Sequence, residues 1–198
     1  ALVGETCDIE VVSSKKKVIN ARATNIHSPS DERQAPFCPV FDVCGGCQLQ
    51  HIKPDSALEQ RDRALKVMME RHLAMKPQVW QAPLAGPRPQ YRRKARLAID
   101  ARNPNQIKLG FREANSSNVI NVETCPILVD PLSKLIGPLR DALSGFESAR
   151  HIGHISLIAG DNTSHLVIKH TKALEAELID AVSELVNTSS SVGDYGIE

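Results

Sequence analysis

The chain has 198 residues, 41% hydrophobic and 24% charged, with a formal net charge of +1. That is a soluble globular composition with room for one ordinary domain or two small ones. No run approaches the roughly 20 apolar residues of a membrane helix, and residues 1–10 lack the basic start and apolar core of a secretion signal. A cytoplasmic chain with no membrane partner is expected. It begins at Ala1 rather than Met and reads as a piece cut from a longer protein. Aromatic residues make up only 4%, so the core must rest on Leu, Ile, Val and Ala.

Residues 1–27 alternate apolar and polar at period two, through Cys7, Ile9 and Val11 and again over 18–26. Ser13-Ser14-Lys15-Lys16 fits a hairpin connection. Two strands do not make a stable unit alone, so residues 1–30 are expected to be part of a small β-barrel, followed by a link over 31–36. A cysteine-rich loop comes next. Ser56 and Glu59 then resemble a capping box, and Leu58, Leu65, Met68, Met69 and Leu73 predict an amphipathic helix over about 56–74. Pro77, Pro83, Pro87 and Pro89 enforce a non-helical connection.

Residues 91–101 alternate as a strand, with Arg92, Lys94 and Arg96 on one face and Arg93, Ala95, Leu97 and Ile99 mostly on the other. Short strands are predicted over 107–112 and 118–122. Asp130-Pro131 predicts a helix start with Asp130 as N-cap, continued by Leu132, Leu135, Ile136, Leu139 and Leu143. Residues 152–159 and 166–170 predict a hairpin, and 172–186 a last helix with Leu174, Leu178, Val182 and Leu185 inward. Residues 192–198 end as if a further strand should follow.

The small net charge hides segregation. Residues 88–112 hold eight bases (Arg88, Arg92, Arg93, Lys94, Arg96, Arg102, Lys108, Arg112) against one acid, Asp100. Such a patch is the footprint of a phosphate-bearing partner, or else a solvated strand face.

The cysteines carry the sharpest signal. Cys38, Cys44 and Cys47 lie in Cys38-Pro39-Val40-Phe41-Asp42-Val43-Cys44-Gly45-Gly46-Cys47, and Cys125 follows in Thr124-Cys125-Pro126. Four thiolates from two remote segments are enough to close one tetrahedral site. Spacing leaves structural zinc and an iron–sulfur cluster side by side, with unliganded buried thiols as the bland alternative. Cys7, in the alternating run, reads as a small core residue.

These residues resemble the RNA uracil-5-methyltransferase family. The likeness runs from the cysteine loop through Gln48-Leu49-Gln50-His51 and Tyr91-Arg92-Arg93-Lys94-Ala95-Arg96-Leu97. It continues through Leu109-Gly110-Phe111-Arg112, Ser116-Ser117, Cys125-Pro126-Ile127-Leu128 and Arg150-His151-Ile152-Gly153-His154. Their order and spacing fit the 23S ribosomal RNA branch.

The resemblance implies a mixed α+β fold. Residues 1–30 would be the later part of an OB-like TRAM barrel that binds RNA. Residues 37–198 would form a central α/β domain with antiparallel strands, helices and a [4Fe-4S] cluster on Cys38, Cys44, Cys47 and Cys125. The methyl donor, S-adenosylmethionine, would be bound by a C-terminal domain absent from this chain. Arg92, Arg93, Lys94, Arg96 and Arg112 would contact 23S ribosomal RNA, in a monomer that takes neither DNA nor membrane.

In the family a cysteine attacks C6 of the uracil and a carboxylate removes the C5 proton. Neither Cys7 nor the cluster cysteines match that nucleophile, so no catalytic residue is assigned. Two alternatives stand: the sister ribosomal enzyme that has the cluster but no barrel, and a zinc-bound nucleic-acid-binding module without catalysis.

Overall fold

The structure, a computed structural model, describes residues 1–73, 77–86, 88–189 and 194–197. It divides into two compact units: Ala1–Pro36 with Gln48–Leu84, and Phe37–Cys47 with Ala85–Glu198. This division cuts the chain differently from the expected 31–36 link. The cysteine loop folds with the later part of the chain, while the long helix after it folds with the N-terminal strands.

In the first unit, β1 (Thr6–Lys15) and β2 (Val18–Ser28) pair antiparallel as a two-stranded sheet. The turn falls at Lys16-Lys17, later than Ser13-Ser14 suggested; Ser13 and Ser14 remain in the ladder, opposite Asn20 and Ile19. Lys16 takes the left-handed conformation that the tight connection requires (φ 52°). A two-stranded ladder leaves its apolar residues in solvent, and Ile9, Val11, Val18 and Ile19 are all exposed. No closed barrel is present among the described residues.

α1 (Pro54–Leu73) begins two residues before the expected start. Pro54 has no N–H to lose and a pre-set φ, so it opens the helix, and Ser56 falls inside the first turn rather than capping it. Ala74, the expected end, lies outside the described residues, as does Pro87. No residue of α1 is buried, and Leu65, Met68 and Leu73 are exposed. The predicted apolar stripe therefore exists in sequence but has no covering core. Trp80 donates from Nε1 to Asp62 at 2.7 Å, and Lys66 lies over its ring, 5.1 Å from the centroid. The ring thus packs on the helix.

A carboxylate holds the start of this unit together. The Glu5 side chain is fully enclosed and accepts from Leu2 N (2.6 Å), Ser30 N (3.1 Å), Arg33 Nε (2.5 Å) and Arg33 Nη2 (2.7 Å). The Arg33 hydrogen bond, opposed by burial, holds Glu5 well below its ordinary value of 4.5. A depressed folded value means stability that is present above the ordinary value and lost as pH falls toward the folded one. Glu5→Gln is expected to lower the thermal midpoint at neutral pH. It should also flatten the decline of that midpoint between pH 7 and about pH 3, as followed by circular dichroism. An unchanged acid profile in the variant would rule the interaction out as a stabiliser.

The second unit is built on a six-stranded sheet of order β5-β4-β3-β6-β7-β8. Its strands are β3 (Lys94–Asp100), β4 (Lys108–Arg112), β5 (Val119–Asn121), β6 (Ile152–Ala159), β7 (Ser164–His170) and β8 (Asp194–Ile197). Neighbours pair antiparallel except β7 and β8, which are parallel. Residues 194–197 thus form a strand themselves, where the sequence suggested a strand only after them. The parallel pairing follows from the crossover through α3 (Ala176–Thr188), since a helix returns the chain to the end it left.

α2 (Asp130–Leu143) and α3 lie against each other, and α2 packs on β4 and β6. Leu132, Leu135, Ile136, Leu139 and Leu143 are buried as one stripe, as their spacing predicts. The N-cap position belongs to Val129; Asp130 is already helical and makes no capping bond. α3 starts four residues later than expected, and Leu178 and Val182 are buried while Leu174 and Leu185 pack at the core's edge. Leu97, Leu109, Leu128, Ile155, Leu157, Leu166 and Ile168 complete the core.

Candidate metal centre and nucleic-acid interface

The cysteine loop is stitched to the sheet by its backbone. Cys44 N donates to Val40 O (2.8 Å) and Phe41 N to Cys38 O (3.1 Å), winding the loop into tight turns. Gly45 N donates to Arg112 O (3.0 Å), Ala114 N donates to Val43 O (2.9 Å), and Cys44 bridges Glu113. A Cβ at Gly45 would stand 3.2 Å from Arg112 O, so only glycine allows this approach without displacement. Gly46 N points at the Cys44 sulfur from 3.4 Å, the kind of donor that stabilises a thiolate. Two motifs distant in sequence, the cysteine loop and Leu109-Gly110-Phe111-Arg112, are thus one structural piece.

Cys125 is braced from the other side. The buried Ser133 hydroxyl, on α2, accepts from Cys125 N (2.9 Å) and donates to Cys125 O (3.0 Å). Arg140, one helical stretch on, pairs with Glu123. The Pro126–Val129 stretch runs parallel beside Arg92: Gln90 N donates to Pro126 O (3.2 Å), Arg92 N to Ile127 O (2.9 Å) and Val129 N to Arg92 O (3.0 Å).

Cys38, Cys44, Cys47 and Cys125 are all half-buried, none of them in a disulfide, and belong to the same unit. Burial pushes the Cys38 thiol up, and Cys44 and Cys47 add to it; burial likewise pushes Cys125 up, with Cys38 and Cys47 adding. The chemistry of the four thiols fits a soft metal or an iron–sulfur cluster. Among the described residues, however, no three His, Cys, Asp or Glu side chains already stand as a closed coordination set. Cys7, on β1, belongs to the first unit, and so does His51, whose carbonyl accepts from Gln34 N (3.1 Å).

The basic strand divides its arginines among several tasks. Lys94 and Arg96 are exposed on the sheet face opposite the buried Ala95 and Leu97. Arg92 precedes β3, is half-buried, and stands 6.0 Å from the Tyr91 ring centre. Arg93 is a clamp: it donates to Ala159 O (3.2 Å) and Gly160 O and pairs with Asp161 at 2.8 Å, closing the β6–β7 hairpin. Arg112 is exposed and donates to Ser117 O (2.5 Å).

Register extends the basic face beyond β3. Arg96 opposes Ser156 and Lys94 opposes Ile158 on β6, while His154 opposes Lys169 and Ile158 opposes His165 across β6–β7. Burial, then Arg96 and Lys169, push the His154 imidazole down from its ordinary value, so these three side chains share one neighbourhood. Sequence reasoning named neither Lys169 nor His154 as part of a basic face. Only the strand pairing brings them beside Arg96.

No family model matches the chain. A protein of Alteromonas mediterranea named 23S rRNA (uracil(1939)-C(5))-methyltransferase RlmD is 72% identical over 92% of the chain. Proteins of the same name from Shewanella baltica and Pseudomonas syringae are 38% and 35% identical over 88% and 90% of it. By sequence this chain is a homologue of the RlmD proteins. It spans about two fifths of their length: 38%, 39% and 40% of these three.

A solved structure, the Pyrococcus abyssi tRNA (uracil-54, C5)-methyltransferase in complex with S-adenosyl-L-homocysteine, matches with a TM-score of 0.55. That match is 19% identical and covers 88% of this chain and 40% of the other. It identifies the mixed α/β fold with antiparallel sheets. Among the described residues, no helix is long and apolar enough to cross a membrane.

Proposed function

We propose that this chain is the RNA-recognition portion of an S-adenosylmethionine-dependent methyltransferase that forms 5-methyluridine in 23S ribosomal RNA. The names of its RlmD homologues support the reaction class. The observation that carries the recognition role is the open sheet face, where Lys94, Arg96, His154 and Lys169 gather opposite the helices. Guanidinium and ammonium groups on a flat sheet hold phosphates and stack on unpaired bases.

Cys38, Cys44, Cys47 and Cys125 are the ligands of a [4Fe-4S] cluster in this reading. The cluster's contribution when bound is structural: it cross-links the loop after residue 37 to the segment before α2. The protein's residues do the rest, with Ser133 orienting Cys125 and Gly45 docking the loop on β4. Residues 1–30 are read as a contributing part of a TRAM barrel, whose exposed apolar strand faces await further strands. The donor S-adenosylmethionine and the reacting groups are assigned to no residue of this chain.

The test is fluorescence anisotropy with a uridine-bearing single-stranded RNA of 23S sequence, over a series of salt concentrations. Wild type is expected to bind with strong salt dependence. The triple variant Lys94→Ala/Arg96→Ala/Lys169→Ala should bind more weakly and flatten the slope of log K against log salt by about 2, or roughly 0.7 for each phosphate lost. Salt-independent or absent binding by wild type would remove the RNA role.

A further inference from the structure

A second basic feature is made of residues other than the four of the open face. A cleft of about 330 Å³ opens where the end of β3, the start of β5 and the 3-10 turn Glu147–His151 converge. Its polar lining comprises Asp100, Arg102, Arg112, Ser117, Asn118 and Arg150. Three guanidinium groups from three separate stretches of chain thus meet around one opening.

Each arginine is fixed differently, and each retains donors. Asp100 holds Arg102 through Nε (2.9 Å) and Nη2 (2.6 Å), which takes two of five N–H groups. The hydrogen bond from Arg102, opposed by burial, sets the Asp100 carboxyl well below its ordinary value, to about 2, so the clasp persists through neutral pH. Arg112 spends one Nη on the Ser117 carbonyl. Arg150 Nη1 stands 3.8 Å from Glu147 Oε2, beyond hydrogen-bond length. The Asn118 amide is oriented by Glu113 Oε2 at 3.0 Å. Asp100 is the one carboxylate in the lining, against three guanidinium groups.

We propose that this cleft seats one backbone phosphate of the bound RNA, with Arg112 and Arg150 as its direct donors and Arg102, held by Asp100, as the positioned third. Forked N–H donors match the oxygen pairs of a phosphodiester, and a cleft with low-dielectric walls of Val119, Ala149 and Ile152 strengthens the attraction. Contact with a phosphate fixes strand register and carries no base information. The inference rests on the reading of RNA as partner.

The experiment compares wild type, Arg150→Ala and Arg112→Ala by anisotropy with the same uridine-bearing RNA. Arginine Nε resonances of 15N-labelled protein are followed in parallel, titrated separately with that RNA and with inorganic phosphate. Arg150→Ala gives up an exposed 3.8 Å ion pair with Glu147, which contributes little to stability at the surface, so it reads the cleft with little effect on the fold. The expected result is a salt slope flatter by about 0.7, equal losses across RNA sequences, and an RNA-induced shift of the Arg150 Nε resonance. RNA binding by wild type with unchanged slope in both variants overturns the cleft and leaves the RNA reading standing. No RNA binding by wild type overturns both. Resonance shifts with inorganic phosphate but not with RNA overturn the assignment to RNA.

Discussion

Cys125→Ser is expected to abolish the proposed four-cysteine centre and to destabilise the second unit by more than about 4 kcal/mol, the range in which lost metal sites fall. The physical reason is that a centre held by all four cysteines would join two segments that are remote in sequence. Backbone bonds dock the cysteine loop on β4 and Ser133 docks Cys125 on α2. A centre shared by both converts two local attachments into one closed ring, and its binding free energy is folding free energy. Iron, acid-labile sulfide and zinc, measured on anaerobically prepared protein, should fall from stoichiometric to trace in the variant, with a lower thermal midpoint. Cys7→Ser, on β1 in the first unit, should leave metal content unchanged. Full metal retention by Cys125→Ser would falsify the four-cysteine assignment. Stoichiometric zinc without sulfide in wild type would replace the cluster with a tetrahedral zinc site.

Gly110→Ala should be the most damaging single methyl group in the second unit, at about 3 kcal/mol. A Cβ there would lie 2.3 Å from Ile120 O and 2.9 Å from Val122 Cγ2. The first is a backbone atom in the ladder partner strand, so relief requires β4 and β5 to separate. That displacement would reach the cysteine loop, because Gly45 hangs from Arg112 O two residues along β4. Denaturant midpoints should therefore drop sharply for Gly110→Ala and hardly move for Gly153→Ala. The nearest neighbour of a Cβ at Gly153 is Lys169 O at 3.5 Å, an ordinary contact. Equal midpoints for the two variants would show that the β4–β5 spacing is not the constraint.

Much of the second unit was legible from pattern. The apolar stripe of α2 and the alternation in β3 and β6 follow from periods of 3.6 and 2, which are local properties. Boundaries failed where a backbone effect outweighed pattern: Pro54 opened α1 ahead of Ser56, and Asp130 entered α2 instead of capping it. The stripe of α1 was read correctly as sequence and wrongly as packing. Periodicity states which residues share a face but not whether anything covers it.

For the candidate site the same division holds. The cysteine spacing and the run of bases from Arg88 to Arg112 are chemical facts of the sequence, and they made a metal site and a phosphate-bearing partner candidates beside unliganded thiols and a solvated strand face. Which bases face outward was a matter of tertiary structure. Arg93 turned into a hairpin clamp on Asp161, while Lys169 and Arg150, far along the chain, joined the basic surfaces. Antiparallel pairing and turn geometry decide such neighbours, because they bring together residues whose separation in sequence carries no signal of their contact.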